Sequence, residues 1–272
     1  MRTILLASAL TLMSLPVVAG DNDNQSALNQ WANGEHRSQA NIERNQYRHP
    51  AETLDFFGLH PHMRVIELWP GGGWYSEILA PYLKENGKFI AASFDTNPAE
   101  ETPRTRYRAN AGKRYETKLA EEPELYSKVE VITFDPPAKI SLGVEASVDM
   151  VLTFRNLHNW AMADSLEPVF QAAFEVLTPG GVFGVVEHRA NPGMPAESGY
   201  MDEAQMIALA QKVGFKLAAK SEVNANPKDT KNYERGVWTL PPSLRLKEQD
   251  REKYLAIGES DRMTLKFYKP EI

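Results

Sequence analysis

Apolar residues along this chain fall into short, nearly unbroken runs separated by longer amphipathic stretches. Arg64–Leu68 (RVIEL), 88–94 (KFIAASF), 129–134 (VEVITF), 148–154 (VDMVLTF), 182–188 (VFGVVEH), 216–223 (KLAAKSEV) and 263–269 (MTLKFYK) have strand length and are rich in β-branched and aromatic residues. Between them the spacing is helical. WYSEILAPYLKENG puts Ile78, Leu79 and Leu83 on one face and stops at Asn86-Gly87. Helices are predicted over 105–119, over 162–177 with Thr178-Pro179-Gly180-Gly181 as the stop, and over 202–215. The stretch 35–59 also reads as helical, divides at Pro50, and carries Arg37, Arg44 and Arg48. Strands that are apolar throughout and alternate with helices are covered on both faces. The expectation is an α/β fold with a doubly wound, mainly parallel sheet.

Composition adds limits. The 272 residues suit one large domain with extensions. A net charge of -6 argues against a nucleic-acid partner, which calls for a basic footprint. With no cysteine, disulfides, thiolate metal sites and a lipid-modified Cys are excluded. The first twenty residues differ from the rest. Arg2, an apolar stretch from Ile4 interrupted by Pro16, and Val17-Val18-Ala19 form the pattern of a secretory signal peptide, the alternative being an N-terminal helix of the fold. The expected division is therefore 1–20 signal peptide, 21–59 helical extension with a loose polar start, and 60–272 main domain, exported, periplasmic in a two-membrane cell, and without stable membrane insertion after signal removal. His60 and His62 look like a metal pair but precede the first strand, at the wrong edge for chemistry, so no metal site is expected.

Open parallel sheets bind ligands outside the carboxyl ends of their strands. Those ends hold Glu67 with Gly71, Gly72 and Gly73, then Asp95, Asp135, Arg155 with Asn156 and His158, and Glu187 with His188. A glycine run directly after a buried strand is costly and implies close approach to the backbone. Two ligand classes use that junction. Dinucleotides favour G-x-G-x-x-G, of which Gly71-x-Gly73-x-x-Ser76 keeps two positions; S-adenosylmethionine wants a glycine turn and an acid after the second strand. Asp95 follows Gly73 by 22 residues and suits either.

As a set, VIELWPGGG, FDTN at 94–97, VEVITFD, VDMVLTFRNLHNW and LTPGGVFGVVEH resemble the motifs of class I S-adenosylmethionine-dependent methyltransferases over about 60–223. More narrowly, WPGGGWYSEILAPYL and GESDRMTLKFYKP resemble a group of exported, predicted methyltransferases. The resemblance implies seven strands with an antiparallel last strand near 262–269, S-adenosyl-L-methionine as cofactor and a small-molecule substrate. It implies cofactor contacts from Glu67, Gly71, Gly72, Gly73, Tyr75, Asp95, Asp135, Arg155 and Asn156. Trp69 stands where that family has glycine, so either the turn takes another path or the cofactor site is modified.

His158 is the candidate base, because imidazole titrates near neutral pH and this one follows the fourth strand. Glu187 and His188 are candidates to orient a substrate, or else pair with Arg189 or Arg155. Trp74 and Tyr75 either face a sulfonium or pack their helix on the sheet. The long connection 224–261 is expected over the ligand edge, offering Tyr233, Arg235, Trp238 and Arg245. Two other functions remain open: a methyltransferase-like binding protein without catalysis, and a nicotinamide-dependent oxidoreductase.

Overall fold

The apolar runs become β1 (Arg64–Leu68), β2 (Lys88–Ser93), β3 (Glu130–Thr133), β4 (Val148–Phe154), β5 (Leu177–His188), β6 (Lys216–Ser221) and β7 (Arg262–Tyr268). They are seen in a computed structural model that describes residues 21–271; the signal-peptide reading of 1–20 lies outside the described residues. All seven strands form one sheet in the order β3-β2-β1-β4-β5-β7-β6, with β7 antiparallel to both neighbours and every other pair parallel. The expected doubly wound α/β sheet with an antiparallel last strand is therefore present. Strand order reverses between β1 and β4, and a crevice opens at such a switch point.

The helices are α1 (Asp21–Ala32), α2 (Gln39–Ile42), α3 (Asn45–Arg48), α4 (Pro50–Phe57), α5 (Ser76–Leu83), α6 (Pro103–Glu121), α7 (Pro123–Tyr126), α8 (Leu157–Ala161), α9 (Leu166–Val176), α10 (Glu203–Val213) and α11 (Arg251–Ile257). Adjacent residues of β1 bury on opposite faces. Val65 joins Leu54, Phe57 and Leu79 under α4 and α5, and Ile66 joins Val169, Phe170 and Phe183 under α9. That two-sided burial is the reason the strand reads as an unbroken apolar run. Local signals set the helix ends. Pro50 opens α4 and Gly58, at φ 79°, closes it; Thr102 caps α6 by accepting from the Thr105 N–H at 3.1 Å, with Pro103 next.

Three expectations are corrected. Residues 21–32 are a helix rather than a loose start: among its described side chains Leu28 and Ala32 are the buried apolar ones, in one cluster with Leu54 and Phe57, too sparse a stripe to register as periodicity. The stretch 35–59 divides at Pro50 as expected, where His49 adopts φ 38°, but the part before it is two short helices, Gln39–Ile42 and Asn45–Arg48, separated at Glu43-Arg44. The helix expected over 162–177 begins only at Leu166, because Asp164 sits at φ 49°; a separate turn, α8, follows β4 directly. No helix among the described residues is long and apolar enough to cross a membrane.

Candidate functional site

The carboxyl ends of β1 and β4 open on a cavity of about 670 Å³. The turn after β1 forms part of its wall through Trp69, Pro70, Gly71 and Gly72. The three glycines divide by role. A Cβ on Gly71 (φ 60°) or Gly72 would meet nothing within 4 Å, so the turn leaves open space there. Gly73, at φ 79°, lies outside the cavity wall; its Cβ would come within 3.1 Å of Tyr115, so its need is close packing against α6.

Glu67 faces the cavity from the end of β1, buried at 3% exposure, and accepts from the Ser76 hydroxyl at 3.0 Å. Burial pushes its carboxyl up to about 8, against the pull of Ser76, Arg155 and Lys118. Tyr75 reaches the cavity but stacks on Phe154, ring centroids 3.6 Å apart. Trp74 lies against its own arginines, Arg37 at 4.6 Å and Arg48 at 4.7 Å. Both aromatics are thus packed, and both also form part of the cavity wall.

The two aspartates expected to hold a nucleoside lie elsewhere. Asp95 is paired with Lys139 at 2.7 Å and Asp135 with Arg108 at 2.7 Å, and neither is part of the cavity wall. Trp69, Phe94 and Arg108 form the wall on that side. The Trp69 indole N–H donates to the Phe134 carbonyl at 2.8 Å, so the ring extends from the end of β1 towards the end of β3. It packs on Phe94 and Trp160 at 4.7 and 5.1 Å, with the Arg108 guanidinium 4.6 Å from its centroid. The backbone at Trp69 takes φ 49°, the conformation glycine would supply, so the turn keeps a glycine path while carrying an indole.

After β4, Arg155 sits at φ 64° and Asn156 donates to the Leu68 carbonyl at 2.9 Å, tying the ends of β1 and β4 together. His158, Glu187 and His188 come together, their ligating atoms within 4.8 Å of one another. Glu187 is fully buried and accepts from the backbone N–H groups of Leu157 (2.5 Å) and His188 (2.8 Å), with His158 Nδ1 at 3.3 Å. Asn159 Nδ2 lies 3.0 Å from His158 Nε2; with Asn159 donating there, Nδ1–H points to Glu187. His188 Nδ1 contacts Ser260 Oγ at 2.5 Å; burial, then His158 and nearby arginines, hold His188 well below the usual imidazole value. The Glu187 carboxylate is committed to N–H donors, and the same arginines oppose a cation. The trio suits proton handling better than metal binding. Arg189 pairs with Glu203, Glu222 and Asp261, not with Glu187.

The remaining wall comes from two distant segments. Asn41, Arg44 and Arg48 approach from α2 and α3. From the connection between β6 and β7 come Trp238, edge-on to His158 at 5.8 Å, and Arg245, stacked on Trp238 at 4.6 Å. Tyr233 instead packs on Tyr254, and Arg235 is not part of the wall. Sequence reasoning missed Glu259 and Ser260, although β7 runs antiparallel and so begins at this edge. It also missed Asn159 and the α6 residues Arg104, Tyr107 and Arg108, for which periodicity carried no signal.

No family model matches the chain, and no curated protein matches it in sequence. Solved structures do match in fold. A SAM-dependent methyltransferase from Aquifex aeolicus is 17% identical, over 74% of this chain and 93% of that one, with a TM-score of 0.52. The [4+2]-cyclase SpnF is 16% identical, over 90% and 92%, at 0.54. A putative sarcosine dimethylglycine methyltransferase from Galdieria sulphuraria is 15% identical, over 84% and 86%, at 0.53. The fold is thus the Rossmann-like one of SAM-dependent methyltransferases. One of the three neighbours is a cyclase, so the fold alone does not name a reaction.

Proposed function

We propose that this chain is an S-adenosyl-L-methionine-dependent methyltransferase acting on a small molecule held in the cavity. The observation that carries the reading is the Gly71-Gly72 shelf. It forms part of the wall of a cavity of about 670 Å³ beside a buried acid, and no described residue other than its chain neighbours lies within 4 Å of where a Cβ on either glycine would sit. The amino-acid end of the cofactor fits that shelf, with Glu67 as acceptor for its ammonium. The nucleoside end fits less simply, because Trp69, Phe94 and Arg108 replace Asp95 and Asp135 as its surroundings.

When bound, S-adenosyl-L-methionine supplies a methyl group on a sulfonium. The chain's own residues do the rest. Gly71 and Gly72 admit a close backbone approach. His158, oriented by Glu187, takes a proton from the acceptor at Nε2 once Asn159 yields that position. Trp238 and the Pro241-Pro242 segment cover the His158 side and exclude water. A second reading is favoured by Trp69 itself: an indole held by Phe134, Phe94 and Trp160 at the nucleoside end suits a methyltransferase-fold protein that binds a ligand without methyl transfer.

Calorimetric titration with S-adenosylhomocysteine separates them. The first reading expects micromolar binding by the wild type. It also expects at least a hundred-fold loss in Gly72→Leu, which adds a side chain to a residue of the cavity wall without the positive φ that Gly71 requires. Binding only by Trp69→Gly supports the second reading. Binding by neither overturns the first.

A further inference from the structure

The guanidinium groups of Arg44, Arg48 and Arg155 lie at one wall of this cavity beside the Glu259 carboxylate, to which a fourth, that of Arg262, is also paired. Glu259 accepts from Arg44 Nε at 2.6 Å, Arg48 Nε at 3.0 Å and Arg262 Nη2 at 2.7 Å. Burial opposes its charge, yet Arg48, Arg262 and Arg44 hold it down at about 2. One negative charge does not balance its neighbours. Arg48 is only 2% exposed, forms part of the cavity wall, and leaves Nη1 buried with no partner among the described residues; Arg44 leaves Nη2 likewise. Arg155 stands beside them at the wall, held at φ 64°, and its guanidinium makes no hydrogen bond or ion pair with the described residues. An unpartnered buried N–H costs about 1–3 kcal/mol, and a buried unpaired charge more. The surplus is local, because the whole chain carries a net charge of -6.

We infer that Arg48, Arg155 and Arg44 form an oxyanion-binding subsite for a carboxylate or phosphate group on the small molecule this cavity takes. An oxyanion is the group that completes this arrangement. It accepts several charge-assisted hydrogen bonds at once and neutralises guanidinium groups that Glu259 leaves in excess. The subsite adjoins the acid–base pair: Arg155 is three residues before His158, and Ser260, which contacts His188, follows Glu259 directly. The anion would therefore anchor the molecule whose proton His158 handles. This deepens the substrate side of the reading above and rests on it only for the reaction.

The test uses the purified full chain with no methyl donor present, so its failure and the failure of the donor reading are distinguishable. Inorganic phosphate and sodium acetate are titrated separately by calorimetry at constant ionic strength in chloride. Wild type is expected to bind at least one with a Kd below about 1 mM, and the arm that binds identifies the group. Arg155→Gln removes no ion pair and is expected to weaken that binding at least ten-fold with an unchanged circular dichroism spectrum. Arg48→Gln is expected to do the same at some cost in unfolding midpoint. Should both variants misfold, the wild-type midpoint decides: a rise in phosphate or acetate over chloride at equal ionic strength supports the subsite, as ligand linkage requires. No binding of either anion, or equal binding by wild type and a folded Arg155→Gln, overturns it.

Discussion

Glu67 is a carboxylic acid enclosed at the end of a parallel strand, with a serine hydroxyl as its only side-chain donor among the described residues. Its carboxyl rises from 4.5 to about 8 because burial penalises the ionised form. The folded chain therefore binds a proton that the unfolded chain has released. Stability associated with that proton is full below pH 4.5 and is lost as pH rises through about 8. Gln keeps the hydrogen bond to Ser76 and has no charge to bury. Glu67→Gln is thus expected to match the wild type in thermal unfolding at pH 4 and to exceed it by a few kcal/mol at pH 9, since each pH unit separating the folded and unfolded values is worth about 1.4 kcal/mol. A constant difference across that range would show that the carboxyl ionises without penalty. An acid poised in this way is ready to ionise when a cation arrives, which is what the ammonium of a methionine-derived cofactor would provide. Trp69 shows the limit of the same reading. Its position in the glycine motif was plain from VIELWPGGG, but the course of its indole was not. That course depends on Phe94, Trp160 and the Phe134 carbonyl, which lie 25, 91 and 65 residues away in sequence and meet only in the sheet.

The helices α2 and α3 are too short to be stable alone, so something outside them must fix their place. Glu259 does this. It sits three residues before Arg262 in β7 and gathers Arg44 and Arg48 onto the end of the sheet. Its carboxyl is held at about 2, so the stability it contributes is present above pH 4.5 and lost as pH falls through about 2. Glu259→Gln leaves Arg48 and Arg262, each 2% exposed, without a counter-charge. A loss of about 3–5 kcal/mol at pH 7 is expected, shrinking as pH falls towards 2, by chemical denaturation across pH. A loss that stayed constant with pH would assign the effect to packing instead of charge. The strands were legible because each is buried on two faces and reads as a continuous apolar run, as Val65 and Ile66 illustrate. Helices α1 and α8 were not legible. The first is polar except for a few inward residues, and the second is a single turn set by the unusual backbone of Arg155 just before it.

No contiguous stretch of the chain holds this site. Its walls come from 41–48, from the turns after β1 and β4, from α6, and from 237–260, brought together by a sheet whose order reverses at β1 and β4. The candidates at the strand ends could be found in sequence because topology alone brings strand ends together. Trp238 was a candidate because its long connection must cross the same edge, whereas the arginines of α3 meet the site through long-range pairing, such as Arg48 with Glu259 across 211 residues. A ligand filling the cavity therefore ought to tie together segments that are remote along the chain. Hydrogen exchange followed by mass spectrometry checks this, using S-adenosylhomocysteine and inorganic phosphate as separate probes. With each probe at about 100 times its Kd, linkage limits the added protection to about 2.7 kcal/mol. Phosphate is expected to slow exchange in both 41–48 and 237–260, because Arg48 and Glu259 belong to one ionic cluster. The nucleoside is expected to protect 67–75 as well, where its amino-acid end would lie. Protection by phosphate confined to one of the two outer segments would mean that they close on the cavity independently, and Glu259 would then be a local brace instead of the coupling between them.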